Sequence, residues 1–303
     1  MIVTILTPTL NAEHYFPDCL RSIRAQTLPR DHIQHLVLDG ESKDRTVALA
    51  REAGAEVSVA RDGSLYEAMN RGIRLARGDV VGWLNADDTF EPGALARVVD
   101  LLGSRPEVEM VVGDFALEAD GRRRVIHTRS DALRRARDGI IRKAWVPPIA
   151  VFYRTATLRG LGEYQSKYRI AADLDLWLRT AARTPLPAVA HTGAVVGTFR
   201  IHEGSLSQSS NPERSLKERI EISRRWSEDP AAPAGVRRSA LHVYRHDAFH
   251  LEMVATRGQA LGSRWRRARK VYRELSRLGP GTLSDVSEIV RDELYLSWKR
   301  RRR

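Results

Sequence analysis

Two adjacent carboxylates, Asp87 and Asp88, are the residues of this sequence that most clearly suggest chemistry. They follow a short apolar run at residues 80–84, which begins with β-branched side chains and is typical of a buried strand in a parallel sheet. Ligands of such sheets bind beyond the carboxyl ends of the strands. Adjacent carboxylates repel each other unless a positive charge lies beside them, and a divalent cation that carries phosphate oxygens would supply it. Alternatively, the two acids cap a helix that opens at Thr89.

Polar residues also follow the earlier predicted strands, at Asn11 and Glu13, at Asp39 and at Asp62. The carboxyl ends of parallel strands meet at one edge of a sheet, so these side chains are expected to converge on one cleft. There the Asp39 carboxylate can accept a hydrogen bond from the imide N–H of a pyrimidine, and Asp87 can reach ribose hydroxyls. Turns formed with the glycine that follows each residue are the alternative roles of Asp39 and Asp62.

Short apolar runs alternate with segments of helical periodicity through residues 1–115. This order predicts an α/β fold with a mostly parallel, Rossmann-like sheet and helices on both faces. Asp120 and Gly121 predict a hairpin at the edge of the sheet, and a last strand is predicted near residues 194–201. Beyond residue 211 the pattern is helical only. We therefore expect an α/β domain at residues 1–210 and a helical, basic extension at residues 211–303.

Composition restricts the possible classes of protein. The chain has 303 residues, a formal charge of +12 and one cysteine, Cys19, which excludes an internal disulfide and fits a reducing compartment. No stretch approaches the roughly 18 apolar residues that span a bilayer, and the N-terminus is interpreted as a strand.

There is no G-x-x-x-x-G-K-[ST] loop, and the G-x-G at Gly160 lacks the third glycine of a dinucleotide site. Phosphates would therefore be held through a metal ion.

Several stretches together resemble the family 2 glycosyltransferases, which have the GT-A fold. They are TPTLN at residues 7–11, LDGESKDRT at 38–46, LYEAMNRG at 65–72, LNADD at 84–88 and FRIH at 199–202, in order and at matching spacings. The similarity covers about residues 1–210. It implies an inverting transfer of a sugar from a nucleoside diphosphate sugar, with a UDP-sugar favoured, to a hydroxyl acceptor. It also implies a divalent cation, Mn²⁺ or Mg²⁺, as cofactor.

The resemblance assigns roles to residues of the early motifs. Asp39 would contact the base, Asp87 the ribose and Asp88 the metal ion, while Arg71 would contact the base or the diphosphate. The other residues expected at the donor site are Thr7, Pro8, Asn11, Asp62 and Asn70.

The later part of the similarity supplies the remaining roles. Arg200 and His202 would contact the diphosphate or the metal ion from a closing loop, and Asp173 would be the general base. Two departures are visible. Arg45 stands where glycine is common in the family, and Ala172 stands where glutamate is usual, which puts the positioning of the acceptor in more doubt than catalysis.

This chemistry needs few groups. An acceptor hydroxyl must lose its proton as it attacks the anomeric carbon in line, and the departing diphosphate must have its charge neutralised. Asp173 could supply the base, but it also immediately precedes an amphipathic helix predicted over residues 174–182, so an N-cap is its alternative role. Asp175 is expected to point elsewhere, which argues against a glycosidase with two carboxylates.

Two other functions remain open from the sequence. A sugar-nucleotide nucleotidyltransferase shares the sheet, the metal ion and the nucleotide, but it would need a basic, glycine-rich loop after the first strand, and residues 8–11 are neither. A non-catalytic module that docks to a membrane through its basic tail is the other. Nucleic-acid binding is not expected, because no recognisable motif accompanies the charge.

The tail, residues 263–303, carries 13 Lys or Arg against 5 Asp or Glu. Apolar residues recur among the basic ones at helical spacing: Trp265, Ala268, Tyr272, Leu275 and Leu278. This pattern predicts a basic amphipathic helix that binds an anionic membrane surface reversibly. The same apolar stripe could instead pack on protein. We expect a cytoplasmic enzyme, peripheral at the inner face of the membrane, that glycosylates a glycan or lipid-linked glycan for the cell surface.

Overall fold

The computed structural model describes residues 1–139, 146–202 and 212–255. These residues form two compact units. The first contains residues 1–133 and 146–202, and the second contains residues 134–139 and 212–255. The predicted membrane-binding tail lies outside the described residues.

The first unit is built on one sheet of nine strands in the order β3-β2-β1-β4-β8-β6-β9-β5, with β7 beside β6. The strands are β1 Val3–Thr9, β2 Ile33–Asp39, β3 Glu56–Val59, β4 Val80–Trp83, β5 Thr89–Phe90, β6 Val108–Ala119, β7 Arg122–Ile126, β8 Val151–Arg154 and β9 Ala188–Ile201. Strands β1 to β4, β6 and β9 run in one direction, while β5, β7 and β8 run against them. The expected mostly parallel α/β sheet is confirmed.

Helices pack around this sheet and connect its strands. They are α1 Phe16–Arg24, α2 Thr46–Glu52, α3 Leu65–Leu75, α4 Ala94–Ser104, α6 Thr155–Leu161 and α7 Ala172–Ala182, with short 3₁₀ turns at Arg30–His32 and Pro148–Ala150. The remaining helix before residue 202 in the described part of the chain is α5 Ala132–Arg137. Helix α5 begins in the first unit and ends in the second. The described part of residues 122–165 contains the strands β7 and β8 and the helices α5 and α6.

Burial on both faces of the sheet explains why the central strands have continuous apolar sequences. Val3, Ile5, Leu6 and Leu38 are fully or almost fully buried, because β1 and β2 carry layers on both sides. Gly72 allows α3 to approach these strands closely. A Cβ at this position would lie 2.5 Å from Leu38 Cδ1 and 3.0 Å from Leu6 Cδ2.

The structure corrects the prediction that a helix opens at Thr89. Thr89 lies in strand β5, which pairs with β9, and the helix α4 starts only at Ala94 after Gly93, whose φ is 72°. Asp87 and Asp88 therefore do not cap a helix. The hairpin predicted at Asp120 is present between β6 and β7, and the last strand begins earlier than expected, at residue 188.

The second unit contains two long helices, α8 Pro212–Glu228 and α9 Ala234–Ala255. Arg219 of α8 donates from Nε to Asp247 Oδ2 of α9 at 2.7 Å. Burial favours the neutral form of Asp247, but Arg219 and His246 outweigh it and hold the pKa of this carboxyl below its usual value. None of the helices in the described part of the chain is long and apolar enough to cross a membrane.

Candidate active site

The two acids that follow β4 lie in a tight turn, and Asp88 is only 1% exposed. Asp88 Oδ1 accepts a hydrogen bond from the backbone N–H of Arg200 at 2.9 Å, and Oδ2 accepts from Asn85 Nδ2 at 3.0 Å. Burial, followed by the negative charge of Asp87, raises the pKa of Asp88 well above its usual value. The turn thus holds a carboxylate whose charge calls for a positive neighbour.

The end of β9 supplies the groups that face these acids. His202 Nε2 lies 3.0 Å from Asp87 Oδ2. Arg200 pairs through Nη2 with Asp18 Oδ2 at 3.2 Å, and its Nε lies 3.8 Å from Glu118 Oε1. Because β9 pairs with β5 directly after the acids, the fold brings residues 87–88 and 200–202 together across the whole α/β unit.

The donor chemistry of this cluster suits a hard divalent cation. Two carboxylates and an imidazole, from Asp87, Asp88 and His202, are ligands that Mn²⁺ accepts, and Mg²⁺ is commonly bound by one or two carboxylates plus substrate phosphates. No group of three or more His, Cys, Asp or Glu side chains within the described ranges is already arranged to hold a metal ion. The donor types of these side chains thus fit a divalent cation.

Asp39 lies at the end of β2 and is fully buried. Its Oδ2 accepts hydrogen bonds from the hydroxyls of Thr9 at 2.9 Å and Ser42 at 2.6 Å, and its Oδ1 accepts from the Ser42 N–H at 2.8 Å. The turn proposed for Asp39 thus exists, but it is closed by Ser42 rather than by the adjacent Gly40. These bonds fix the orientation of the Asp39 carboxylate at the end of β2.

Arg71 and Asp62 form a nearly buried ion pair beside Asp39. Arg71 also donates from Nη1 to the Ser58 carbonyl at 2.6 Å and lies 3.5 Å, through Nη2, from the Asp39 carbonyl. The guanidinium therefore ties the end of β3 to the end of β2. Its contacts place one positive charge at the carboxyl edge of the parallel strands.

Four other residues expected at the donor site make mainly internal contacts. Thr7 Oγ1 lies 3.0 Å from His35 Nε2, and Pro8 is part of β1. Asn11, with a φ of 49°, accepts from the Lys43 N–H at 2.8 Å and so joins the loops after β1 and β2. Asn70 bonds the backbone of residue 164 through both amide atoms, at 2.9 Å and 2.7 Å.

Asp173 lies in the first turn of α7, whose N-cap is Ala171. The alternative role of Asp173 as an N-cap is therefore wrong, because the helix begins at Ala172, two residues before its apolar pattern. Asp173 Oδ1 accepts from the Leu174 N–H at 2.9 Å and lies 3.5 Å from the hydroxyl of Tyr66, which donates to the Ile170 carbonyl at 2.8 Å.

An aromatic cluster links this carboxylate to the end of β4. The ring centroids of Tyr66 and Tyr164 are 5.1 Å apart, and those of Tyr164 and Trp83 are 6.2 Å apart. Asp175, by contrast, is buried and bonds Arg179 at 3.0 Å, so it points away from Asp173 as expected.

Comparison with known proteins identifies the family. The family model described as glycosyl transferase family 2 matches residues 4–161. The chain belongs to this family. Among sequence relatives of this glycosyltransferase, a PGL/p-HBAD biosynthesis glycosyltransferase from Mycobacterium bovis is 31% identical over 221 residues, which cover 71% of this chain and 82% of the relative.

Solved GT-A structures share the fold of this glycosyltransferase. TarS 1-349 from S. aureus in complex with UDP-GlcNAc superposes with a TM-score of 0.65 at 16% identity, covering 88% of this chain and 79% of the other. The mannosyltransferase PcManGT from Pyrobaculum calidifontis, in complex with GDP-Man and Mn²⁺, gives a TM-score of 0.61 at 17% identity, covering 98% and 82%. At these identities the similarity establishes the GT-A fold.

Sequence reasoning missed several residues that the structure places at the site of this glycosyltransferase. Thr9 and Ser42 hold Asp39, and both lie inside motif stretches, so their positions were a usable signal. Tyr66 contacts Asp173 and also lies within a motif. Tyr15 packs against Arg200 and His202, but it lies outside every motif stretch, so no signal in the sequence pointed to it.

Proposed function

We propose that this glycosyltransferase transfers a sugar from a nucleoside diphosphate sugar to a hydroxyl acceptor with inversion at the anomeric carbon. A UDP-sugar is the favoured donor. The observation that carries the proposal is the pairing of Asp87 and Asp88 with His202 and Arg200 at the carboxyl edge of the sheet. This arrangement places two acids, an imidazole and a guanidinium where a diphosphate and its cation would bind.

The donor site is proposed along the carboxyl ends of β2, β3 and β4. Asp39 would accept a bond from the base, Asp87 would contact the ribose, and Arg71 would lie beside the base or the diphosphate. The fold neighbours support nucleotide-sugar binding here, because one was solved with UDP-GlcNAc and another with GDP-Man and Mn²⁺.

Asp88 and His202 would hold a divalent cation, which when bound would neutralise charge on the departing diphosphate. Arg200 would add a positive charge from the same segment of β9. The buried position of Asp88 makes its charge costly, so a cation at this point stabilises the ionised carboxylate as well as the ligand.

Asp173 is proposed as the general base that takes the proton of the acceptor hydroxyl as the new glycosidic bond forms. Its carboxylate is oriented by the Leu174 N–H, which fixes Oδ1. Asp175 cannot share this role, since it is bonded to Arg179. A single base on α7 fits a single displacement with inversion, in which no covalent sugar intermediate is required.

The base assignment is tested with Asp173→Asn in the full chain. The substitution keeps size and polarity but cannot accept a proton, so turnover should fall by about 10² or more, while donor affinity stays close to that of the wild type. Transfer from a panel of UDP- and GDP-sugars with Mn²⁺ would be measured together with nucleotide binding by calorimetry. Full activity of Asp173→Asn would leave Asp173 with a structural role only.

We also propose a class of acceptor and a cellular location for this glycosyltransferase. The acceptor is a hydroxyl of a glycan or lipid-linked glycan in cell-surface polysaccharide or glycolipid assembly, at the cytoplasmic face of the membrane. The relatives are glycosyltransferases, which supports sugar transfer over the nucleotidyltransferase alternative. Donor hydrolysis or transfer by the purified chain would also separate the enzyme from a non-catalytic docking module.

A further inference from the structure

The ring of Tyr15, immediately before α1, packs on both functional side chains at the end of β9. Its centroid lies 4.3 Å from the centroid of the His202 ring, with an interplanar angle of 40°. The Arg200 guanidinium carbon lies 5.0 Å from the centroid of the Tyr15 ring. Arg200 lies in β9 and His202 directly follows the end of this strand, and the two side chains share this aromatic surface.

The first turn of α1 contributes a second contact to the same segment. Asp18 lies three residues after Tyr15, on the same face of the helix, and its Oδ2 pairs with Arg200 Nη2 at 3.2 Å. From the other direction, Asp88 accepts the Arg200 N–H and Asp87 faces the His202 ring. The end of β9 is therefore held between the acids after β4 and the start of α1.

We propose that Tyr15 is a positioning residue that orients Arg200 and His202 for the diphosphate and its cation. The inference rests on the proposed function and adds a residue to its donor site. Arginine and histidine side chains lose rotational freedom when they bind a ligand, and side chains that are already ordered lose less. The electron-rich face of the Tyr15 ring attracts a guanidinium and leaves its N–H groups directed to other acceptors.

A purely structural role for Tyr15 predicts a different outcome. If the ring only anchors the start of α1, its removal should lower stability and leave nucleotide affinity unchanged. Phe16 provides the matched control, because it is the next residue, is also aromatic and is fully buried in the core. Its replacement disturbs the same helix in the core.

The experiment measures binding of UDP, and separately of GDP, in the presence of Mn²⁺ by calorimetry, together with the melting temperature. The proteins are the full-length wild type, Tyr15→Phe, Tyr15→Leu and Phe16→Leu. Loss of a cation–π contact is expected to weaken UDP binding to Tyr15→Leu by about 3- to 30-fold. Tyr15→Phe keeps the ring and should bind within twofold of the wild type, as should Phe16→Leu despite a lower melting temperature.

Two results would overturn the inference in distinguishable ways. If the wild type binds UDP and Tyr15→Leu binds it equally well, Tyr15 does not position the site, and the proposed function survives. If the wild type binds neither UDP nor GDP with Mn²⁺, the donor site itself is wrong and both proposals fail. Tyr15→Met, which fills the space with a flexible chain, carries the same expectation should Tyr15→Leu not fold.

Discussion

The pH dependence of stability should reveal the partly buried environment of His35 on β2. Burial lowers the pKa of His35 from 6.5 to about 4, and its Nε2 lies 3.0 Å from Thr7 Oγ1. The unfolded chain takes up the proton near pH 6.5, whereas the folded chain takes it up only near pH 4. The folded state therefore loses stability as the pH falls from 6.5 towards 4, and the loss is complete below the folded value.

The size of this loss follows from the two pKa values. Each unit of difference corresponds to about 1.36 kcal/mol, so a shift from 6.5 to about 4 gives roughly 3 kcal/mol in total. Between pH 7.5 and pH 4.5 the linkage relation gives about 2.5 kcal/mol, because the folded His35 is then still mostly neutral.

The test compares the wild type with His35→Gln, which can still bond Thr7 but does not titrate. The free energy of unfolding would be measured by urea denaturation, followed by circular dichroism, at pH 7.5 and pH 4.5. Carboxylates titrate in both proteins, so their contribution cancels in the comparison. The wild type should lose about 2.5 kcal/mol more than the variant between the two pH values. Equal losses would refute the burial argument, and would show that His35 is accessible to protons in the folded state.

Three further outcomes are expected. Asp88→Ala should abolish transfer and metal-dependent nucleotide binding in calorimetry, while Asp87→Ala should weaken donor binding more than it alters the metal requirement; wild-type turnover of Asp88→Ala would contradict the metal assignment. Gly72→Ala should lower the free energy of unfolding by about 1–3 kcal/mol, because its Cβ would meet Leu38 at 2.5 Å, and an unchanged melting temperature would disprove this close contact. Deletion of residues 263–303 should remove salt-sensitive co-sedimentation with anionic liposomes, and binding that ignores salt would count against a membrane role for the tail.

The α/β architecture was predictable from the sequence because it depends on local periodicity. Apolar runs at β1, β2 and β4 alternate with amphipathic helices, and in such an order each parallel strand must end at the same edge of the sheet. The positions of Asp39 and Asp87 at that edge follow from the chain order alone. Polar residues just beyond strand ends were thus a usable signal for a ligand site.

The remaining features of the sheet depend on pairing between strands that lie far apart in the sequence. Strand β8 enters the sheet antiparallel between β4 and β6, and β5 exists only because β9 pairs with it. Neither strand has enough residues to be recognised from its own pattern, since two to four residues carry no clear period. The contact of Arg200 with Asp88 therefore became visible only in the tertiary structure.

The same distinction applies to the candidate site, where the identities of the residues and their contacts have different origins. The sequence indicated which residues carry charge and chemistry, through motifs that resemble a known family. It did not indicate that Asp39 is fixed by Thr9, that Asp173 follows rather than forms the helix cap, or that Tyr15 supports Arg200. The contacts of Thr9 with Asp39 and of Tyr15 with Arg200 join segments far apart in the chain. Their geometry depends on strand register and on the packing of helices against the sheet, which no local pattern of residues specifies.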